Sequence, residues 1–202
     1  QMRPISLMEP LGKLVLGIIA SLIQHSLGPI LTCFPHFGFM PNRGAIDAIQ
    51  RVAGHSRAIR ALVGTRRRSV TQQMTQVPKL IMCGGLSLFL DMSRAFDCAN
   101  RRLLMDHLLE LGTPPDLVQL VASWHENTRY NIPFQHGTSS VTVGKGLRQG
   151  CKIAPQLWVV YLDRFLRLLA SHTGQQWIHD CITIYADDVH VGCSFTSPQE
   201  FI

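Results

Sequence analysis

Three aspartates are the residues of this chain whose type and spacing could do chemistry. Asp187 and Asp188 are adjacent in "IYADDVH", and Asp91 ends the apolar run "LSLFL". Adjacent carboxylates repel each other and, in a strand, point to opposite faces, so the pair indicates a tight turn or a bound cation. The flanking segments 181–184 and 189–192 are short and β-rich, which predicts a hairpin under either interpretation.

The two acidic stretches would meet if the strand that ends at Asp91 lay beside this hairpin. Three carboxylates at one sheet edge suit Mg²⁺, which takes oxygen ligands and is often completed by substrate phosphates. Two ions about 3.5–4 Å apart can activate an attacking oxygen and stabilise the leaving oxygen of a phosphoryl displacement. The sequence therefore predicts a metal site on Asp91, Asp187 and Asp188, with an exposed turn as the alternative.

Hydrophobic periodicity indicates the elements that would position these aspartates. Residues 86–90 are typical of a buried strand, and segments 129–134 and 140–143 predict a hairpin about Gly137. Helices and strands mix without regular βα alternation, which predicts an α+β fold with an antiparallel sheet. Helices are predicted over 11–27, from about Ala45, over about 100–111, from a Thr113 cap with Pro114 in first position, and from Pro155.

The helix from Pro155 has the clearest pattern. Apolar side chains recur at helical spacing from Trp158 to Leu169, and this spacing predicts that three charged residues face outward. Those three residues are Asp163, Arg164 and Arg167.

Composition limits the class of protein. The chain has 202 residues, 46% hydrophobic and 16% charged, which predicts one domain, and its net charge of +6 suits a polyanionic partner. Six cysteines without a CxxC pair favour a reducing compartment, so we expect an intracellular protein of the nucleus or cytoplasm that is not secreted. The most apolar run, 14–23, is shorter than the roughly 20 residues of a membrane span, and we expect a buried helix and no membrane partner.

Three blocks resemble a known family. "LFLDMSRAFDCANRRLL", "GLRQGCKIAP" and "YADD" resemble motifs A, B and C of reverse transcriptases, in the family's order. "RPISL" and "FGFMPNRGAIDAI" resemble the fingers blocks, so the resemblance covers residues 3–193. These motif sequences most resemble those of retrotransposons lacking long terminal repeats, and group II intron and retron enzymes are other relatives.

The resemblance implies a right-hand polymerase with fingers over about residues 1–80 and an antiparallel palm over about 81–202. It implies DNA synthesis from dNTPs on an RNA or DNA template with a primer, using two Mg²⁺ ions that Mn²⁺ can replace. No thumb follows the hairpin in this sequence, so we expect a core fragment that does not polymerise processively.

The resemblance also assigns roles to the three aspartates and the hairpin turn. Asp91 and Asp187 would ligate both metals and Asp188 would be the third carboxylate. Tyr185 and Ala186 would shape the turn beneath the primer end.

Further residues match blocks that contact the nucleotide. Phe96 matches the bulky residue that lies under the sugar and excludes a ribose 2′-hydroxyl, with core packing as the alternative. Gln149 and Gly150 match the block that lines the nucleotide and template pocket. Arg43, in the fingers block, would grip the triphosphate bidentately, with an ordinary surface arginine as the alternative. The run 66–68, three arginines, could contact template phosphates or form a solvated loop.

The chain departs from the family in block B. Where relatives read "RQGCPLSPLLF", this chain has Lys152, Ala154 and Trp158. Two alternatives therefore stand beside an active polymerase core. One is an inactive retroelement remnant that folds or binds nucleic acid without catalysis. The other is an RNA-dependent RNA polymerase, although those enzymes usually show "GDD" in the turn and a smaller residue at the Phe96 position.

Overall fold

The computed structural model describes residues 8–65, 74, 83–126, 128–135 and 137–200. This part of the chain contains both helices and antiparallel strands. In chain order the elements are α1 (Pro10–Leu31), α2 (Ala45–Thr65), β1 (Gly84–Asp91), α3 (Ala95–Cys98), α4 (Arg101–Glu110), α5 (Pro115–His125), β2 (Arg129–Phe134), β3 (Gly137–Thr142), α6 (Ala154–Thr173), α7 (Gln175–Cys181), β4 (Ile182–Tyr185), β5 (Asp188–Phe195) and a short 3₁₀ turn (Pro198–Glu200). The "RPISL" block and the arginine run 66–68 lie outside the described residues.

The predicted α+β fold with an antiparallel sheet is confirmed. Strands β1, β5 and β4 form one sheet in that order, and β2 pairs with β3 in a second sheet. Tyr185 lies opposite Asp188 in the β4–β5 hairpin, which leaves a two-residue turn. The register between β1 and β5 also places Asp91 opposite Asp188. The strand that ends at Asp91 is therefore the neighbour of the hairpin, as the metal-site prediction required.

The prediction that β1 is buried is wrong. Only Gly84 of this strand is buried, whereas Leu86, Leu88 and Leu90 are exposed. Edge position is not the reason, because β4 lies at the other edge of the sheet and is mostly buried. Helix α7 packs against β4 and β5, whereas β1 packs against α2, so most of β1 is left uncovered. An apolar run reports strand propensity, and the helices that pack on the strand decide whether the run is covered.

Helix α1 is longer than the sequence pattern predicted. It continues through Pro29 to Leu31 and spans 22 residues. Its most apolar window has a mean hydropathy of 1.8, so by length and composition alone this helix could cross a membrane; 33% of the window is buried inside the protein. Leu16, Ile23 and Leu27 are fully buried in the core. The argument that the apolar run is too short to span a membrane therefore does not hold for the helix as formed.

The core lies where α4, α5 and α6 pack together with α1. The largest fully buried side chains include Leu104, Leu108, Leu157 and Leu166. Helix α4 begins where predicted, because the Asn100 side chain accepts hydrogen bonds from the amides of residues 102 and 103.

The predicted cap of α5 is wrong. Pro114, rather than Thr113, occupies the N-cap position and Pro115 is the first helical residue. The Thr113 hydroxyl is instead buried without a hydrogen-bond partner among the described residues.

The prediction that Asp163 faces outward is also wrong. Asp163 is fully buried, and its Oδ2 accepts hydrogen bonds from His107 Nε2 at 2.9 Å and from Arg167 Nε at 2.6 Å. On the other side of His107, Nδ1 lies 2.9 Å from Glu110 Oε2, which also accepts from Arg164 at 2.8 Å. These contacts tie α4 to α6. Asp163 is tolerated inside because His107, 56 residues away, and Arg167 both hydrogen-bond its Oδ2.

Candidate active site

The hairpin turn is held in an unusual backbone conformation. Ala186, the first of its two residues, has φ of 55°, a left-handed value that two-residue hairpin turns require but that alanine seldom adopts. A loop from the N-terminal third presses against it, because a Cβ at Gly38 would lie 2.3 Å from the Ala186 amide nitrogen. The Met92 amide donates to the Asp187 carbonyl at 3.1 Å. The turn is thus fixed beside the end of β1.

The block B loop docks onto α3, the helix that follows Asp91. The Leu147 amide donates to the Phe96 carbonyl at 2.7 Å, and the Gly146 amide donates to the Ala99 carbonyl at 2.9 Å. Gly146 has φ of 81°, and a Cβ there would lie 2.5 Å from the Asp97 carbonyl oxygen. Glycine at this position allows the loop to approach α3 closely enough to carry Gln149 to it.

These contacts enclose a cavity of about 580 Å³ between the sheet end, α3 and the start of α6. Six of the residues predicted for the site line it: Asp91, Phe96, Gln149, Gly150, Ala186 and Asp187. Tyr185 and Asp188 line a second, more apolar groove between α2 and the sheet, which Asp91 also borders. The structure therefore divides the predicted site between two adjoining spaces.

The predicted convergence of three carboxylates is not observed. Among the described residues no group of three aspartate, glutamate, histidine or cysteine side chains is close enough to hold one metal ion. The reason is that Asp91 and Asp187 share the cavity, whereas Asp188 faces the groove beside α2.

The two cavity carboxylates nevertheless fit a divalent cation. Within the described part of the chain, no hydrogen bond or ion pair satisfies the carboxylate of Asp91 or of Asp187. Oxygen ligands from one or two carboxylates, completed by water and phosphate, are what Mg²⁺ usually takes from a protein.

Phe96 lies at the junction of the cavity and an aromatic cluster. Its ring stacks on Trp158 with centroids 5.1 Å apart and meets Phe39 edge-on at 6.2 Å. The ring is half-buried and lines the cavity. Gln149 Nε2 donates to Asp97 Oδ1 at 3.2 Å, which fixes the amide at the cavity wall.

Arg43 does not line the cavity, and its placement argues against the predicted triphosphate contact. Its Nη1 donates to the carbonyls of Phe34 at 2.7 Å and His36 at 3.0 Å, and its Nη2 donates to the Thr32 carbonyl at 2.8 Å. A guanidinium that bonds three carbonyls holds its own loop together and has few donors left for a ligand.

Arg94 is the cation that the sequence reasoning missed. It lines the cavity, its side chain is exposed, and it adopts φ of 55° between Asp91 and α3. A non-glycine residue held in the left-handed region often marks a functional turn, and Arg94 lies in the turn that joins β1 to α3. One weak signal in the sequence is a basic residue three positions after the strand-end aspartate.

The fold and this site define the class of protein. An antiparallel sheet that brings a strand-end aspartate and a hairpin-turn aspartate into one cavity is the palm of a right-hand polymerase. A search of solved structures agrees: telomerase from Candida albicans, determined with a fragment of telomeric RNA, superposes with a TM-score of 0.61 over 92% of this chain and 31% of that chain. At 9% identity this likeness shows the fold alone.

The family follows from the sequence comparison. Residues 1–200 match the family described as reverse transcriptase (RNA-dependent DNA polymerase), and the chain belongs to this family. The chain is 31% identical over 104 residues to the retrovirus-related Pol polyprotein from type-2 retrotransposable element R2DM of Drosophila melanogaster, covering 50% of this chain and 10% of that protein. It is 29% identical over 114 residues to the transposon TX1 uncharacterized 149 kDa protein of Xenopus laevis, covering 52% and 9%. The chain thus spans about a tenth of the length of these curated relatives.

Proposed function

We propose that this chain is the catalytic core of an RNA-directed DNA polymerase, which adds dNTPs to a primer 3′-hydroxyl on an RNA or DNA template. The observation that carries the proposal is the single cavity that Asp91 and Asp187 share with Phe96 and Gln149. Unpaired carboxylates, a stacked aromatic ring and a fixed amide are together suited to metal ions, a sugar and a base or phosphate.

The proposed roles follow from position in the cavity. Asp91 and Asp187 would hold Mg²⁺ ions, or Mn²⁺ in their place, which when bound lower the pKa of the attacking hydroxyl and stabilise the leaving oxygen. Arg94 would orient the triphosphate, and Phe96 would occupy the space that a ribose 2′-hydroxyl needs. Asp188, which lies opposite Asp91 on the adjoining strand, would be the third carboxylate of the site.

The proposal also covers features of the chain outside the cavity. The division into a fingers-like part over about residues 1–80 and a palm over about 81–202 belongs to it, as does an intracellular location. The net charge of +6 supports a nucleic-acid partner, because neutralised phosphates supply most of non-specific affinity.

The test is single-nucleotide incorporation by this chain on an RNA template with a DNA primer and Mg²⁺. Asp187→Asn should lower the rate at least about 100-fold, since even residues that only support a metal ligand are worth about 10–100-fold. Primer–template binding, measured by fluorescence anisotropy, should be unchanged. Asp106→Asn is the matched control, because Asp106 is exposed on α4 and does not line the cavity.

The same experiment decides between the proposal and the inactive remnant. A chain that binds primer–template but incorporates no nucleotide, with or without the Asp187 substitution, would favour the remnant. Equal incorporation by the unaltered chain and by Asp187→Asn would remove Asp187 from catalysis.

A further inference from the structure

Trp158 occupies a position that the family-based roles leave unused. It lies in the second turn of α6 and is 2% exposed, directly behind the cavity. Its indole Nε1 donates to the Ala186 carbonyl at 2.9 Å, which places a buried donor on the turn that carries Asp187. Among the described residues, this is the one side-chain hydrogen bond to the backbone of the turn.

The same indole also supports Phe96. The Trp158 and Phe96 rings stack with 28° between their planes, and Tyr161 stacks behind Trp158 at 5.8 Å. Trp158 is therefore in ring contact with both Phe96 and Tyr161. One side chain therefore contacts both the turn and the sugar-facing ring.

The turn needs such a contact. Ala186 has φ of 55°, and a non-glycine residue remains in this region only where its surroundings determine it. From one side the turn meets Gly38, and from the other the Met92 amide bonds the Asp187 carbonyl. The Trp158 N–H is the contact that fixes the carbonyl between the two turn residues.

We propose that Trp158 is a positioning residue, which couples the turn bearing Asp187 to Phe96 so that the metal-binding carboxylate and the sugar-excluding ring keep one relative geometry. The inference rests on the proposed polymerase function. It predicts that substitutions of Trp158 change both the rate of nucleotide addition and the discrimination between sugars.

Ordinary core packing does not account for the N–H contact. A phenylalanine would fill most of the same space, and a buried tryptophan N–H does not find a partner automatically in this molecule. Trp124 shows this, because its Nε1 is buried without a partner among the described residues. At Trp158 the donor instead bonds a carbonyl of the turn that carries Asp187.

The first test uses amide hydrogen exchange, which needs no activity. Trp158→Phe keeps a stacking ring but removes the donor, so the Met92 amide, bonded to the Asp187 carbonyl, should exchange about 10-fold faster. Trp177→Phe is the matched control, because Trp177 is partly buried on α7 away from the cavity. Equal exchange in the two variants would overturn the inference.

The second test uses single-nucleotide incorporation with dNTP and with rNTP. Trp158→Phe should lower kcat for dNTP about 10-fold with little change in KM, since a small misplacement of the reacting groups costs rate. Trp158→Leu, which also removes the ring behind Phe96, should lower the dNTP-over-rNTP preference about 10-fold as well. Unchanged kcat and preference in both variants would overturn the inference.

A double variant covers the case in which the leucine variant fails to fold. Ala186→Gly adopts the left-handed turn without strain, so Trp158→Phe should speed Met92 exchange less in that background than in the native one. Equal effects in the two backgrounds would contradict the coupling. If the unaltered chain incorporates no nucleotide, the proposed function fails, and the exchange data alone decide whether Trp158 positions the turn.

Discussion

Two acidic regions of this molecule differ in whether the chain itself supplies hydrogen-bond partners for their carboxylates. Asp163 is fully buried, and His107 and Arg167 both hydrogen-bond its Oδ2, while its Oδ1 has no partner among the described residues. Asp91 and Asp187 sit around a cavity, and within the described residues nothing satisfies their carboxylates. A carboxylate that supports the fold receives its partners from the chain, whereas the cavity carboxylates are left for partners from outside.

The difference extends to the arginines. Arg43 donates hydrogen bonds to three carbonyls of one loop, whereas the Arg94 side chain is exposed at the cavity wall. The contrast predicts which substitutions will change stability and which will change ligand binding, and four experiments can break or sharpen it.

The largest expected effect on stability is at Asp163. Asp163→Asn removes the charge that pairs with Arg167 inside the protein, so it should lower the free energy of unfolding by about 3 kcal/mol. Asp91→Asn should change that free energy by no more than about 0.5 kcal/mol, because the carboxylate has no partner among the described residues. Urea unfolding of both variants checks the pair, and equal losses would break the comparison.

A smaller effect should appear as a pH dependence at His36. Burial lowers the pKa of His36 to about 4, with Asp163 raising it and Arg43 lowering it to lesser extents. Because the unfolded chain then binds a proton below about pH 6.5 that the folded chain does not, stability should fall by about 2 kcal/mol from pH 7 to pH 5.

The His36→Phe variant isolates this contribution. Its ring fills a similar space, and His36 Nε2 has no hydrogen-bond partner among the described residues. The unaltered chain should therefore lose about 2 kcal/mol of unfolding free energy relative to the variant as the pH falls from 7 to 5. A difference that stays constant would show that His36 is not held neutral.

The two arginines should separate stability from nucleotide binding. Arg43→Gln should lower the free energy of unfolding by about 1–2 kcal/mol through the lost carbonyl contacts. Arg94→Gln should leave stability nearly unchanged and weaken Mg²⁺-dependent dNTP binding about 10-fold, the size of one charge-assisted contact. Calorimetric titration with dNTP measures the second effect. Weaker binding in Arg43→Gln alone would restore Arg43 as the triphosphate contact.

Phe96 belongs to both regions, because it lines the cavity and stacks on the buried Trp158. Phe96→Val should open space beside the sugar and lower the dNTP-over-rNTP preference in primer extension by about 10-fold. An unchanged preference would mean that Phe96 acts only through packing.

Local sequence signals predicted much of this fold. The β4–β5 hairpin, the start of α4 near Asn100 and the long helix α6 each follow from a pattern of neighbouring residues. The burial of Asp163 could not be predicted in this way, because periodicity counts apolar residues and His107 lies 56 positions away. The exposure of β1 likewise depends on which helices pack against it.

The sequence predicted those residues of the candidate site that belong to recognisable motifs. Motif matches pointed to six residues that do line the cavity, but they could not show that Asp188 faces another groove. They also assigned the phosphate contact to Arg43, whose donors are taken by carbonyls of residues 32–36. Such features arise from tertiary contacts, which no short motif records.

The close approach of Gly38 to the hairpin turn limits which sequences this site can explore. A side chain at position 38 would collide with the backbone nitrogen of residue 186, so the restriction does not depend on which amino acid occupies 186. In a library that randomises both positions, functional clones should keep glycine at 38 whatever residue occupies 186. Gly38 does not line the cavity, so a mutational scan that equated essential residues with ligand contacts would wrongly assign it to the site.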